Sequence, residues 1–458
     1  MTSKEWLKIE KMTRVFPDID IKIVCPDCRK EFQPDTFHLV GTHVLSSGKC
    51  TDCRQELFME MPTGSGLHYP VVVNEIGERK DSMPFSNWFM AALQNSSKRK
   101  IDSPVPVRKI INTTARKEKI VILNTIDQSY GHCVFTLMNA DYYQMKIDFH
   151  LLVLVQKELL WLVPDGIDEV WVVDIPFSNA QGWYISLGKQ VNERMREFES
   201  GYLAWAFPQA PEHNFKVEKY SRIKPFPLDE WNSRLDKPVV TFIWRTDRFW
   251  RRVLPRIIDN RVTRKLFPTL LKHIKHRIQF NWIVSFSKIL REKAPTVDFA
   301  VAGMDTREFS LPNWVKDYRY PTHTDESARE MCARYASSHL VIGCNGSSLV
   351  LPSFHAGSVV NIVPYDGWAV SAGSFYLRPT SLADVQYRYL LLPADVTVER
   401  TVKTVIQILR DRSLVQILAG TPWNNHDANS QHGDWANFRK DAFEKTKYFK
   451  EKEGMVTY

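Results

Sequence analysis

From residue 119 onward, short apolar runs alternate with amphipathic stretches. Lys119-Ile-Val-Ile-Leu-Asn124 is a compact β-rich run of the kind buried on both faces of a parallel sheet. Residues 133–143 then carry apolar positions at helical spacing. Residues 150–155 and 169–173 read as strands, and 185–199 as a helix. A second series opens at Pro238-Val-Val-Thr-Phe-Ile-Trp244. Its helical stretches cover 261–275, 282–293, 327–337, 349–357 and 398–410, with strands at 297–302, 340–343 and 359–363. The alternation predicts an α/β fold of two Rossmann-like domains. The proline-rich segment Lys224-Pro-Phe-Pro-Leu-Asp229 suits the connection between them.

The first sixty residues follow another pattern. Two knuckles, Cys25-Pro-Asp-Cys28 and Cys50-Thr-Asp-Cys53, lie twenty-one residues apart, and each is followed by Arg. Four thiolates on facing turns suit a tetrahedral Zn²⁺ site with no open position, hence a structural one. Short β signals at 21–24, 36–40 and 56–59 complete a zinc ribbon. The expected division is a zinc ribbon at 1–60, a connecting segment at 61–117, Rossmann-like domains at 118–235 and 236–420, and a helical tail at 421–458. Residues 84–93 read as a short helix, 96–100 and 104–108 as surface loop, and 435–450 as a tail helix. No internal repeat or low-complexity tract interrupts this plan.

Composition narrows the class. At 458 residues the chain exceeds one ordinary core. Its 44% hydrophobic and 25% charged residues are ordinary for a globular protein. A net charge of +9 favours anionic partners, whether nucleic acid, an acidic membrane surface or phosphorylated small molecules. The N-terminal residues lack a signal-peptide core, no long apolar run reads as a membrane span, and zinc-type thiols suit a reducing compartment. The expectation is a cytoplasmic protein, with peripheral membrane contact left open.

Three segments could carry chemistry. In Leu340-Val-Ile-Gly-Cys-Asn-Gly-Ser-Ser-Leu349 an apolar strand ends in a small-residue turn that opens a helix. Unpaired amides at such a turn, Asn345 to Ser348, form a phosphate seat, and the alternative is an ordinary turn with a serine cap. Arg245, Asp247 and Arg248 follow the strand that ends at Trp244. An arginine there can bind a diphosphate bidentately, and Asp247 can orient it or take a hydroxyl. A cationic surface loop, with Trp244 and Trp250 in the core, is the alternative, and it suits Arg251 and Arg252 better than Arg245. Asp127-Gln-Ser-Tyr-Gly-His132 follows the strand at 119–124. His132 or Asp127 could serve as a base, or Asp127 could hold the imidazole in one tautomer. A helix N-terminus would favour the neutral imidazole, and a purely structural histidine is the alternative. Asp366, at a further strand end, could bind a sugar or ribose hydroxyl. His355 reads as a packed histidine. Asp165, Asp168 and Glu169 read as loop, and Glu326 and Glu330 as a solvated helix face.

On these residues the chain resembles the two-domain GT-B glycosyltransferases over roughly 118–420. Gly346-Ser347-Ser348 is similar to that family's pyrophosphate-binding turn. Arg245-Thr-Asp-Arg248 is similar to the Arg-Arg-Thr-Asp segment of fucosyltransferases, with Trp244 in place of the first arginine. Gly131-His132 looks like the Gly-Asp step of bacterial heptosyltransferases, with His in place of Asp. The resemblance implies two Rossmann-like halves facing a cleft and a nucleotide-diphosphate sugar on the C-terminal half. It implies an acceptor, unidentified, on the N-terminal half, and inverting transfer with no catalytic metal. The zinc ribbon is no part of that pattern. The competing expectation is a scaffold with an inactive glycosyltransferase-like body whose zinc ribbon binds protein or nucleic acid. Nucleic acid is the lesser partner because the knuckle region carries acids beside its bases. Nicotinamide-dependent oxidoreduction ranks below both, since the first strand is not followed by GxGxxG.

Overall fold

The computed structural model describes residues 12–40, 43–61, 71–74, 78, 94, 96, 98–113, 117–205, 216–250, 265–305, 308–363 and 389–411. The expected helices at 84–93 and 435–450, part of the stretch at 261–275, and Asp366 lie outside them.

The N-terminal strands are β1 (Met12–Phe16), β2 (Ile23–Val24), β3 (Glu31–Phe32), β4 (Thr36–Val40), β5 (His43–Lys49), β6 (Glu56–Glu60) and β7 (Val72–Val73). They are followed by β8 (Lys100–Ile101) and β9 (Val107–Ile111). The first α/β unit holds β10 (Lys119–Asn124), α1 (Tyr130–Leu137), α2 (Ala140–Gln144), β11 (Phe149–Gln156), β12 (Glu169–Val173), β13 (Trp183–Tyr184), α3 (Ile185–Met195) and β14 (Ser200–Ala204). After the short helix α4 (Glu218–Ser221), the second unit holds β15 (Val239–Trp244), α5 (Pro268–Lys293), β16 (Asp298–Met304), β17 (Lys316–Tyr320) and α6 (Asp325–Ser337). It continues through β18 (Leu340–Cys344), α7 (Val350–His355), β19 (Ser358–Val363), β20 (Tyr389–Pro393) and α8 (Val398–Arg410).

Both large sheets follow doubly wound topology. The second is parallel throughout, in the order β17-β16-β15-β18-β19-β20. Numbered by chain position this is 3-2-1-4-5-6, the Rossmann order, with its topological switch between β15 and β18. The first sheet is β1-β14-β10-β11-β12-β9. Its four central strands are parallel and read 3-2-1-4, with the switch between β10 and β14. The edge strands β1 and β9 run antiparallel.

Several placements differ from the sequence reading. Residues 12–16, expected in the ribbon, pair with β14 and cap one edge of the first sheet. The ribbon strands therefore follow a strand of the α/β unit. Residues 104–108, expected as surface loop, lead into β9 at the other edge. The helical signals before and after residue 280 belong to the single 26-residue helix α5. Strands β14, β17 and β20 gave no clear signal. β17 reads Lys-Asp-Tyr-Arg-Tyr and hides its pattern behind a buried ion cluster. Arg319, fully buried, is held by Asp305 at 2.9 Å and by both oxygens of Asp317 at 2.9 Å. Glu169, the first residue of the expected strand at 169–173 but also grouped with the loop before it, begins β12 and is buried against His150 (2.9 Å), Trp171 (2.7 Å) and Arg194 (2.7 Å). Burial opposes its ionisation, but these donors hold the carboxyl down at about 2.

Each unit has a core of its own, and one apolar cluster spans both. Cys133, Val134 and Leu137 of α1 pack in the same apolar cluster as Ala328 and Cys332 of α6 and Val350, Leu351 and Phe354 of α7. The ribbon sheet leans on the first unit, with Phe37, Leu39 and Val44 packed against Leu187 and Val191 of α3. Among the described residues no helix is long and apolar enough to cross a membrane.

Candidate functional site

Three loops meet at the seam between the units, and each leaves the carboxyl end of a parallel strand. The loop after β15 carries Arg245, Asp247 and Arg248. Arg245 is 16% exposed and donates from Nε and Nη2 to the two Asp247 oxygens at 2.8 and 2.7 Å. Its Nη1 donates to Ser348 Oγ at 2.9 Å. Arg248 Nε lies 3.8 Å from Asp247 Oδ2. Burial alone would raise the Asp247 carboxyl; Arg245, with Arg248 behind it, holds it below the usual carboxylate range. The three charges leave a net single positive charge at this edge.

The loop after β18 carries Asn345, Gly346, Ser347 and Ser348. Asn345 N–H donates to Ile362 O at 3.0 Å, which fixes the exit from the strand. Gly346 has φ 119° and ψ −175°, a region open essentially to glycine alone. A Cβ there would also sit 3.1 Å from Arg245 Nη1 and from Arg248 Nε. Backbone conformation thus requires glycine here, and the two guanidinium groups leave a side chain little room. A 3-10 turn at Ser347–Leu349 then enters α7. Neither serine caps the turn or the helix. The ordinary serine cap weighed from sequence is therefore absent, and Ser348 instead accepts from Arg245. With six residues, α7 adds little macrodipole, so any anion here would meet side-chain cations and turn amides first.

The loop after β10 carries Asp127, and His132 follows in the first turn of α1. Asp127 N–H donates to the buried Gln156 Oε1 at 3.2 Å, and its Oδ1 accepts from Ser129 N–H at 2.7 Å. Its Oδ2 lies 3.2 Å from His132 Nδ1, and the His132 side chain is 47% exposed. Next to His132, Gly131 packs onto the other unit. A Cβ on Gly131 would stand 2.7 Å from Ser347 Cβ and 2.8 Å from Val350 Cγ2. The strand-end loops at the switch points of the two sheets are therefore in van der Waals contact. Beside them the Tyr130 ring lies tilted against His323 and edge-on to Phe177, with ring centroids 5.8 and 6.1 Å away.

The structure thus brings Arg245, Asp247, Arg248, Gly346, Ser347 and Ser348 together and sets Gly131 against them, with His132 beside it in α1 and Asp127 in the loop before that helix. His355 is packed, as expected. Its Nδ1 donates to Leu351 O at 2.9 Å and its Nε2 accepts from Ser221 Oγ at 2.8 Å. Sequence reasoning did not find the Gln156 brace. A glutamine ending an otherwise apolar strand was the available signal.

The four knuckle cysteines also converge, away from these loops in the fold. Cys25 and Cys53 Sγ are 3.6 Å apart, Cys28 and Cys50 Sγ are 3.4 Å apart, and all four lie within 4.8 Å of one another. Metal–sulfur bonds of about 2.3 Å in a tetrahedron put sulfurs about 3.8 Å apart, so the cluster can hold a metal ion. The knuckles repeat each other locally. Arg29 and Arg54 donate back to Cys25 O and Cys50 O at 2.9 and 3.0 Å, and both adopt left-handed φ, 63° and 64°. The Cys50 thiol is lowered to about 7, first by a hydrogen bond from the Cys53 backbone N–H.

No family model matches the chain, and no curated protein matches it in sequence. Among solved structures it is similar to a glycosyl transferase of family 9 from Veillonella parvula, at 9% identity and a TM-score of 0.39 over 65% of this chain and 99% of that one. It is similar to the ADP-heptose LPS heptosyltransferase II of E. coli at 9% identity and a TM-score of 0.35, again over 65% and 99%. A putative UDP-N-acetylglucosamine 2-epimerase from Listeria monocytogenes aligns at 10% identity and a TM-score of 0.34, over 67% and 91%. Likeness this distant says nothing of activity.

Proposed function

We propose that the protein is a glycosyltransferase that moves a sugar from a nucleotide-diphosphate donor to an acceptor hydroxyl, with inversion and without a catalytic metal. One observation carries the reading. Arg245, Arg248, Gly346 and Ser348 gather outside the switch point of the 3-2-1-4-5-6 sheet, and the first turn of α1, which bears His132, packs against them. Open α/β sheets bind ligands at that place, and a cationic, small-residue rim suits a diphosphate.

In this reading Arg245, Arg248 and the Asn345–Ser348 amides take the diphosphate, and Asp247 holds Arg245 in plane or receives a hydroxyl. Asp127 accepts from Nδ1–H of His132, which leaves Nε2 of that tautomer as proton acceptor. The acceptor oxygen bonds to the sugar C1 as the C1–O bond to phosphate breaks. The acceptor proton passes to His132, and the electron pair passes to the diphosphate. Fixed guanidinium groups stabilise that charge, the part a divalent cation plays elsewhere. The ribbon cysteines would hold one structural Zn²⁺, closed to substrate. Reduced metal-ligating thiols suit a cytoplasmic setting.

A second reading makes the body an inactive scaffold whose ribbon recruits protein or nucleic acid. One feature favours it: Asp247 already occupies the Nε/Nη2 edge of Arg245. A thermal-shift panel of nucleoside mono- and diphosphates separates the two. Stabilisation by one diphosphate well above its monophosphate supports transfer and names the donor base. No nucleotide response, with His132→Ala and Asp127→Ala both leaving any measured transfer intact, ends the enzymatic reading.

A further inference from the structure

We infer that the protein docks on an anionic lipid surface through the outer end of α5, independently of the glycosyltransferase reading. Leu266, Phe267 and Leu270 are 63%, 54% and 57% exposed. Three large apolar side chains this open within five residues are unusual on a surface otherwise charged. Elsewhere among the described residues such side chains stand singly or as the pair Met145 and Ile147. They are set among cations. Lys265 and Lys272 are exposed on either side of them. Over the described residues 265–277 the chain carries Lys265, Lys272, Lys275 and Arg277 and no Asp or Glu. Apolar side chains embedded among cations match the boundary between anionic headgroups and acyl chains. A nucleic acid would use the cations but would give the Leu and Phe side chains nothing to enter.

The placement suits a planar partner. As the crossover between the parallel neighbours β15 and β16, α5 begins above the carboxyl edge of the sheet and runs back along it. Its third turn is fixed to the site loop. His276 Nε2 lies 3.1 Å from Thr246 O, and Gln279 Oε1 accepts from Trp250 N–H at 3.0 Å. Pro268 is eight residues earlier, so the helix start stands about 12 Å beyond the Thr246 level. The apolar tip therefore projects on the side where Arg245 and Ser348 open. A membrane touched by the tip would face that edge of the molecule.

The test is co-sedimentation of the full chain with vesicles of phosphatidylcholine alone or with one third phosphatidylserine. The wild type should sediment with the anionic vesicles and little with the neutral ones. Leu266→Ser with Phe267→Ser and Leu270→Ser should weaken binding by about tenfold or more. Lys265→Glu with Lys272→Glu should weaken it by about fivefold or more per site. Ile147→Ser, a change at a still more exposed apolar position elsewhere, should leave it intact. These side chains are solvated, so an unchanged unfolding midpoint confirms that the variants fold; if the serine variant does not, the lysine pair alone decides. Failure of the wild type to sediment with anionic vesicles would overturn the inference. So would undiminished sedimentation of both variants, or single-stranded RNA binding that the serine changes do not affect.

Discussion

Replacing Arg245 with alanine tests the proposed site most directly, because structure and ligand affinity should respond very differently. In the protein alone Arg245 makes a two-pronged pair with Asp247, which is 60% exposed, and one bond to Ser348. An ion pair that open contributes about 1 kcal/mol or less, so the variant should fold with nearly unchanged stability. For a bound diphosphate the guanidinium supplies charge-assisted hydrogen bonds worth about 1.5–3 kcal/mol, or about tenfold to about 150-fold in dissociation constant. Isothermal titration with the nucleoside diphosphate found by thermal shift reads this directly. Arg245→Lys should fall between, since an ammonium keeps the charge but cannot bridge Asp247 and Ser348 together. Asp247→Asn should act oppositely and tighten diphosphate binding, because it removes a negative charge between two arginines. Wild-type affinity in Arg245→Ala, or equal losses in Arg245→Ala and Asp247→Asn, would refute the placement of the diphosphate.

Cys50→Ser should abolish stoichiometric zinc, measured as bound metal per chain after exhaustive dialysis, and expose residues 23–60 to limited proteolysis; full zinc retention would remove the cluster as the site. Gly131→Val should cost about 1–3 kcal/mol in chemical denaturation, because a side chain cannot fit 2.7 Å from Ser347 Cβ without parting the two units. If the variant matches wild type, the loops are not in contact. Burial lowers His355 from 6.5 to about 4. The unfolded chain therefore takes its proton first as pH falls, and the stability this group contributes, complete above about pH 6.5, is lost progressively down to about pH 4. The difference amounts to about 3 kcal/mol for this fully buried ring. Denaturation midpoints across that range should fall less steeply in His355→Gln than in wild type, and parallel curves would refute the assignment.

Local pattern carried much of the architecture. Strand and helix periods placed β10, β12, β15, β18, β19, α6 and α8 close to where they stand, because central parallel strands are apolar on both faces. The edges were less readable. β1 and β9 have half-solvated faces, and β17 hides its pattern behind the buried Arg319 cluster, so no short-range signal marks them. The Cys25–Cys53 cluster was legible because metal ligation fixes residue type and local spacing together. Gly346 could be singled out as small, but not as glycine required by φ 119°.

By itself the sequence determined the thiol knuckles, the two α/β series, and the residue types at their strand ends, since periodicity and ligand chemistry are local properties. Tertiary structure alone decided that β15 and β18 are neighbours across a switch point, which joins Arg245 to Ser348 over 103 positions of chain. It alone set Gly131 against Ser347, because strand order and the packing of α1 on α7 depend on every crossover between them.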